Sequence, residues 1–124
     1  PFVNAFRYQL GKVNDYYFLQ GIIAAHDIFR VDEGNLLYIR LENEEVLELE
    51  CMISKIASHN PGPGNLWIAE PMYRINKYDM DAINSQKILS IKLVLADQSL
   101  EFDNIKEKNW LKMKKCIELV TQSN

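Results

Sequence analysis

Two histidines and two cysteines carry most of the chemical range available to this chain of 124 residues. His26 is followed by Asp27, a doublet that can ligate a metal when it sits on a helix with further His and Asp donors nearby. Here its flanks, Ala24-Ala25 and Ile28-Phe29, are strand-like, and the doublet reads as an ordinary solvent-facing pair. A zinc site assembled from Cys51, Cys116, His26 and His59 has suitable donor atoms but none of the compact spacing that marks such sites. Cys51 precedes His59 by eight residues, which matches no thiol–imidazole arrangement, and there is no Gly-x-Ser-x-Gly elbow. Cys51 lies in an alternating apolar pattern and Cys116 on the apolar side of a helical one, the usual setting of free, buried thiols. No catalytic residue, metal or cofactor is assigned.

Carboxylates are plentiful in Glu42, Glu44, Glu45, Glu48 and Glu50. Paired acid–base work needs carboxylates in different environments, and alternation points these alike into water. Between Asp27 and Glu50 stand eight acidic residues against Arg30 and Arg40, whereas Ile105–Glu118 holds five lysines against Glu107 and Glu118. Either face suits a charged partner, and both suit plain solvation. The segment Asn60-Pro61-Gly62-Pro63-Gly64 lacks the Lys-Ser/Thr ending and following helix of a phosphate-binding loop. It reads as an exposed connection with Trp67 beside it.

Extended elements must carry these residues. Phe6, Tyr8 and Leu10 alternate, and Tyr16–Leu19 is rich in the aromatics that strands favour. Gly21 within that run suits a bulge or a close backbone approach. Leu37, Ile39 and Leu41 share one face, as do Leu47, Leu49, Cys51 and Ile53 over Val46–Lys55. A turn at Asn43-Glu44-Glu45 pairs Leu41 with Leu47, Ile39 with Leu49 and Leu37 with Cys51, setting Arg40 opposite Glu48. Pro71 places Leu66–Ala69 at a sheet edge or ends it. Asn76 is positioned to cap a short helix, with Asp79 near its positive end and Met80 and Ile83 inward. A second hairpin turning at Asp97-Gln98 pairs Leu95 with Leu100 and Leu93 with Phe102. From Asn104, a longer helix shows a stripe of Trp110, Met113, Ile117 and Val120.

The composition, 48% hydrophobic and 25% charged, is that of one ordinary globular domain over residues 1–124 and excludes a disordered or disulfide-stapled chain. A net charge of −3 and the lack of interleaved basic and aromatic residues argue against a nucleic-acid partner. No apolar run is long enough for a transmembrane segment. The expected fold class is α+β. Mostly antiparallel strands form a sheet or small barrel, with one short middle helix and a C-terminal amphipathic helix packed on the apolar face through Trp110. Trp67 is accordingly expected to be more exposed than Trp110. Pro1 at the start in place of methionine is expected of a processed chain, so a missing leader says nothing of compartment.

The run Tyr73-Arg74-Ile75-Asn76-Lys77-Tyr78-Asp79-Met80, the strand Ile88–Leu95 and the lysine-bearing end with Trp110, Cys116 and Ile117 resemble small uncharacterised α+β domains of Bacteroidetes bacteria. The Leu37–Leu41 hairpin is similar to theirs, and the likeness covers Leu36 to Val120. It implies a fold, transfers no catalytic residue, and leans slightly towards the cell envelope or secretion. A fainter resemblance is to pleckstrin-homology-type barrels, where a terminal helix bearing a tryptophan closes a strand barrel. Trp110 matches that pattern and the short helix from Asn76 to Gln86 departs from it. The expected role is a non-catalytic protein-interaction or accessory domain. Its contact surface would be a strand edge, open to another protein chain or a weak homo-oligomer, with His59, Asn60, Pro61, Gly62, Trp67, Lys112 and Lys115. The alternatives are a lipid- or phosphate-binding barrel using Lys112 and Lys115, and a small enzyme using His26, Asp27 or His59.

Overall fold

A computed structural model describes residues 5–62 and 64–102. Along the chain run β1 (Ala5–Val13), β2 (Tyr16–Ala25), β3 (Arg30–Val31), β4 (Leu36–Leu41), β5 (Val46–Glu50), β6 (Lys55–Ile56), β7 (Ser58–Asn60), β8 (Leu66–Ala69), β9 (Met72–Ile75), α1 (Lys77–Ser85), β10 (Ile88–Val94) and β11 (Ser99–Phe102). Every pairing among the described residues is antiparallel, and α1 is their one helix. The sheet-rich expectation therefore holds. The helix expected from Asn104 to Val120, with Trp110 and Cys116, lies outside the described residues.

The first sheet has the order β1-β2-β8-β7, with β9 also paired to β2. β1 and β2 form a hairpin in which Val13 faces Tyr16 and Phe6, Tyr8 and Leu10 point inward. Its turn, Asn14-Asp15, uses a left-handed Asn14 at φ 55°, a conformation asparagine tolerates better than most residues. β8 and β9 are one strand interrupted at Glu70-Pro71. Ile23 faces Ala69 on one side of the break and Gln20 faces Met72 on the other, so the register runs through. Proline has no N–H to give, but its carbonyl still accepts from Gly21 N at 2.9 Å. A Cβ on Gly21 would lie 3.3 Å from Phe6 Cζ and 3.6 Å from Pro71 Cγ. The glycine serves the close approach that its place in the strand suggested.

The second sheet has the order β11-β10-β4-β5. Both hairpins keep the expected faces and correct the expected registers by two residues. In the first, Leu37 faces Leu49, Ile39 faces Leu47 and Arg40 faces Val46, while Glu48 faces Tyr38 rather than Arg40. The turn is Glu42-Asn43-Glu44: Leu41 N donates to Glu45 O at 2.9 Å, Asn43 Oδ1 accepts from Glu45 N, and Glu44 takes φ 72°. In the second hairpin Leu93 faces Leu100 and Ile91 faces Phe102, because the loop tightens to Ala96-Asp97 and Leu95 N donates to Gln98 O at 2.8 Å. A two-residue slip preserves the side-chain faces, so burial could not distinguish these alternatives. An irregularity between Ile88 and Ser90 also buries Ile88 and leaves the next residue, Leu89, half-buried.

The inward run of Leu47, Leu49 and Cys51 stops short of Ile53, which is 56% exposed. β5 ends at Glu50, and Cys51 then bridges to Tyr73 of the first sheet. Met52 N donates to Met72 O at 2.9 Å, and the bend that follows turns Ile53 into solvent. This corner joins the two sheets. At their outer strands, β1 and β11, the rings of Phe6 and Phe102 meet at 5.5 Å. Between the sheets lies one continuous cluster that includes Leu19, Ile23, Leu37, Ile39, Tyr73 and Leu93. α1 adds Met80 and Ile83 to it, and Asn76 Oδ1 caps the helix by accepting from Asp79 N at 2.7 Å, as expected.

Candidate functional site

Two features stand out, one at each end of β2. At the Tyr16 end is a cleft of about 980 Å³ bounded by the β1–β2 turn, the start of β4, the end of β5 and the β9–α1 junction. Strand alternation sends Leu49 inward and leaves Glu48 and Glu50 on the outer edge of this cleft. Asp15, Glu33 and Asp79 join them from three other segments, so five carboxylates line a space whose cations, among the described residues, are Arg74 and Lys77. Among the described residues the one ion pair within 4 Å is Arg30–Asp32, and that pair lies elsewhere.

Arg74 faces Phe18 across the β2–β9 ladder, which sets it diagonal to Tyr16 on the same face. Its guanidinium carbon stands 4.1 Å from the centre of the Tyr16 ring, close enough for the ring's negative face to attract it. Lys12 makes a longer contact of the same kind, 5.5 Å from the centre of Tyr17. Partial burial, with Glu45 nearby, raises the Asp79 carboxyl above the ordinary range. Burial likewise raises the Cys51 thiol, which donates to Ile53 O at 3.2 Å. A buried, protonated thiol is a poor nucleophile.

At the Ala25 end β2 pairs with β8, which in turn pairs with β7, the edge of the sheet. All three residues of β7 are exposed. Both of its faces are therefore wet, as in an arm projecting from the body. His59 faces Trp67, with ring centres 4.9 Å apart and a tilt of 46°. His59 Nε2 lies 2.5 Å from Asn65 Oδ1. The loop closes on itself through Asn65 N, which donates to Gly62 O at 3.0 Å, with Gly64 and Asn65 both at positive φ. Of the residues expected to make contacts, His59, Asn60, Pro61 and Gly62 are exposed and Trp67 is half-buried. Pro63, Lys112 and Lys115 lie outside the described residues.

The remaining candidates are less organised. His26 and Asp27 are exposed in the bend after β2 and border a small cleft of about 190 Å³ with Gln98 and Leu100. Both histidines fall at the same end of the sheet, since Ala25 and His59 each face Trp67. Among the described residues no three His, Cys, Asp or Glu side chains are grouped to hold a metal ion, and no helix is long and apolar enough to cross a membrane. The sequence pointed to the arm through its Pro-Gly run and tryptophan. It left the cleft unseen, because Asp15, Glu33, Glu50, Arg74 and Asp79 share no local pattern and meet only when the two sheets join.

Comparison with known proteins finds no matching family model, no matching curated relative and no matching solved structure.

Proposed function

We propose that this chain is a non-catalytic interaction domain that engages another protein chain through the β7–β8 arm. The observation that carries this reading is the exposure of β7 on both faces at a sheet edge. Edge strands offer unpaired backbone groups to a further strand, and alternate side chains beside them supply specificity. The half-buried Trp67, with His59 over it, gives such a contact an aromatic anchor of the kind that dominates interface energetics. An accessory role within a larger assembly fits a small domain with one such arm.

A photo-crosslinking amino acid at Asn60, introduced in the cells the chain comes from, tests this directly. The expected result is a discrete adduct from Asn60 that is missing when the same group replaces the exposed Glu101 on β11. No adduct from Asn60, or the same adduct from both positions, would remove the arm as the contact surface.

A further inference from the structure

The cleft at the other end of β2 has its own chemistry, independent of the arm. Three observations converge there: a concavity of about 980 Å³, five carboxylates without a described ion-pair partner, and a tyrosine face on which a guanidinium already rests. We propose that this cleft is a second docking site, which takes an extended, arginine-bearing segment of a partner protein, and that Arg74 occupies the cation position on Tyr16 until such a segment displaces it.

The charge balance selects the sign of the partner. Glu48 and Glu50 project from β5 on one side, Asp15 and Glu33 come from turns, and Asp79 sits at the start of α1, so a cation entering the cleft meets carboxylates from several directions. Arginine suits the site better than lysine because a planar guanidinium both stacks on an aromatic ring and forks towards carboxylates. Arg74 demonstrates the aromatic half of that recognition, at 4.1 Å from the ring centre of Tyr16, a residue that is itself 48% exposed. It does not satisfy the other half, having no carboxylate of the described residues within 4 Å. The space is also larger than one guanidinium fills, and its size falls in the range of ligand-binding clefts.

The test uses the full chain and an end-blocked hexapeptide of alternating arginine and alanine, with a glutamate-for-arginine peptide as control, followed by fluorescence anisotropy at low salt. The arginine peptide should bind and the glutamate peptide should not. Replacing Tyr16 by alanine should weaken binding by about fivefold or more, and Glu50→Gln should weaken it as well. Arg74→Met removes the internal competitor and should tighten binding by about threefold or more, whereas Lys77→Met, which removes an equal charge from the same cleft, should tighten it clearly less. All four substituted residues are surface positions, and circular dichroism confirms that each variant is folded. Failure of the arginine peptide to bind both the parent chain and Arg74→Met overturns the proposal. So does indifference to Tyr16, or equal tightening by the two cation removals, which would reduce the cleft to a diffuse negative surface. None of these outcomes bears on crosslinking from Asn60, so this site and the arm stand or fall separately.

Discussion

The two ends of β2 are built from the same continuous ladder and are held very differently. Towards Tyr17, β2 pairs with β9, whose Tyr73 bridges to Cys51 and whose Met72 carbonyl accepts from Met52 N, so this end is fastened to the second sheet. Towards Ala25, it pairs with β8, and among the described residues β8 has the exposed β7 alone beyond it. Glu70-Pro71 marks the change, with Gly21 making room for Pro71 opposite it. A fixed end can hold charged groups from several segments around a cleft, as Asp15, Glu50 and Asp79 are held. A projecting end can offer backbone and rings to another chain. Local unfolding is expected to follow the same division, because exposed hydrogen bonds with little buried apolar contact open first.

The largest effect should therefore come from emptying the braced end. Leu19 is fully buried and faces Tyr73 across the ladder. Leu19→Ala should cost about 3 kcal/mol, the transfer and cavity terms of a deep leucine together. Urea denaturation measures it, and an unchanged slope with denaturant would show that the loss lies in the native state. A loss below about 1 kcal/mol would mean that burial does not brace this end.

A smaller change of opposite sign is expected next to it. Tyr73 is completely buried and its hydroxyl has no hydrogen-bond partner among the described residues. Removing an unsatisfied buried hydroxyl relieves a desolvation penalty, so Tyr73→Phe should stabilise the fold by about 1 kcal/mol. The pH dependence has a definite sign. Burial, with Cys51 adding to it, raises the phenol well above the ordinary tyrosine range. The unfolded phenol ionises near pH 10 while the folded one keeps its proton, so this contribution is present below about pH 10 and is lost as pH rises past it. The raised Cys51 thiol acts in the same sense from slightly lower pH. Tyr73→Phe should flatten the upper part of that alkaline fall and leave the thiol's part. Chemical denaturation at neutral pH and at a series of alkaline pH values checks both statements. A destabilised phenylalanine variant would mean that the hydroxyl has a partner.

What was legible in the sequence follows from which interactions are local. Alternation fixed the inward faces of β1, β4 and β5, and the Asn76 cap with Met80 and Ile83 located α1, because each signal lies within a few residues of its effect. Registers slipped by two residues because the signal, parity, is blind to such a slip and the turns were set by left-handed Glu44 and by the two-residue loop at Ala96-Asp97. The alternating pattern runs on past Cys51 to Ile53, while the bridge to Tyr73 that follows β5 and leaves Ile53 exposed is a contact between distant segments. The Asn14-Asp15 hairpin and the union of β8 with β9 across Pro71 were likewise invisible as pairings. The exposed Pro-Gly loop could be read directly. The acidic cleft could not, since its charges become neighbours only through the joining of the sheets.

The smallest expected effect on stability is also the sharpest probe of the contrast between the two ends. His59 touches the Trp67 ring and Asn65, yet it is exposed and belongs to a strand with solvent on both faces. His59→Ala should therefore change global stability by less than about 1 kcal/mol. Its effect should stay local: red-shifted Trp67 emission as the ring loses its cover, and faster amide exchange at Trp67–Ala69 without a change at Tyr73–Ile75. Hydrogen exchange resolved along the chain separates the two segments even though they belong to one ladder. Equal acceleration on both sides of Pro71 would show that the ladder opens as a unit, and the arm would then be a braced part of the core. Acceleration confined to the Trp67 side would locate the boundary at Gly21 and Pro71, where the register runs on but Pro71 has no N–H to give.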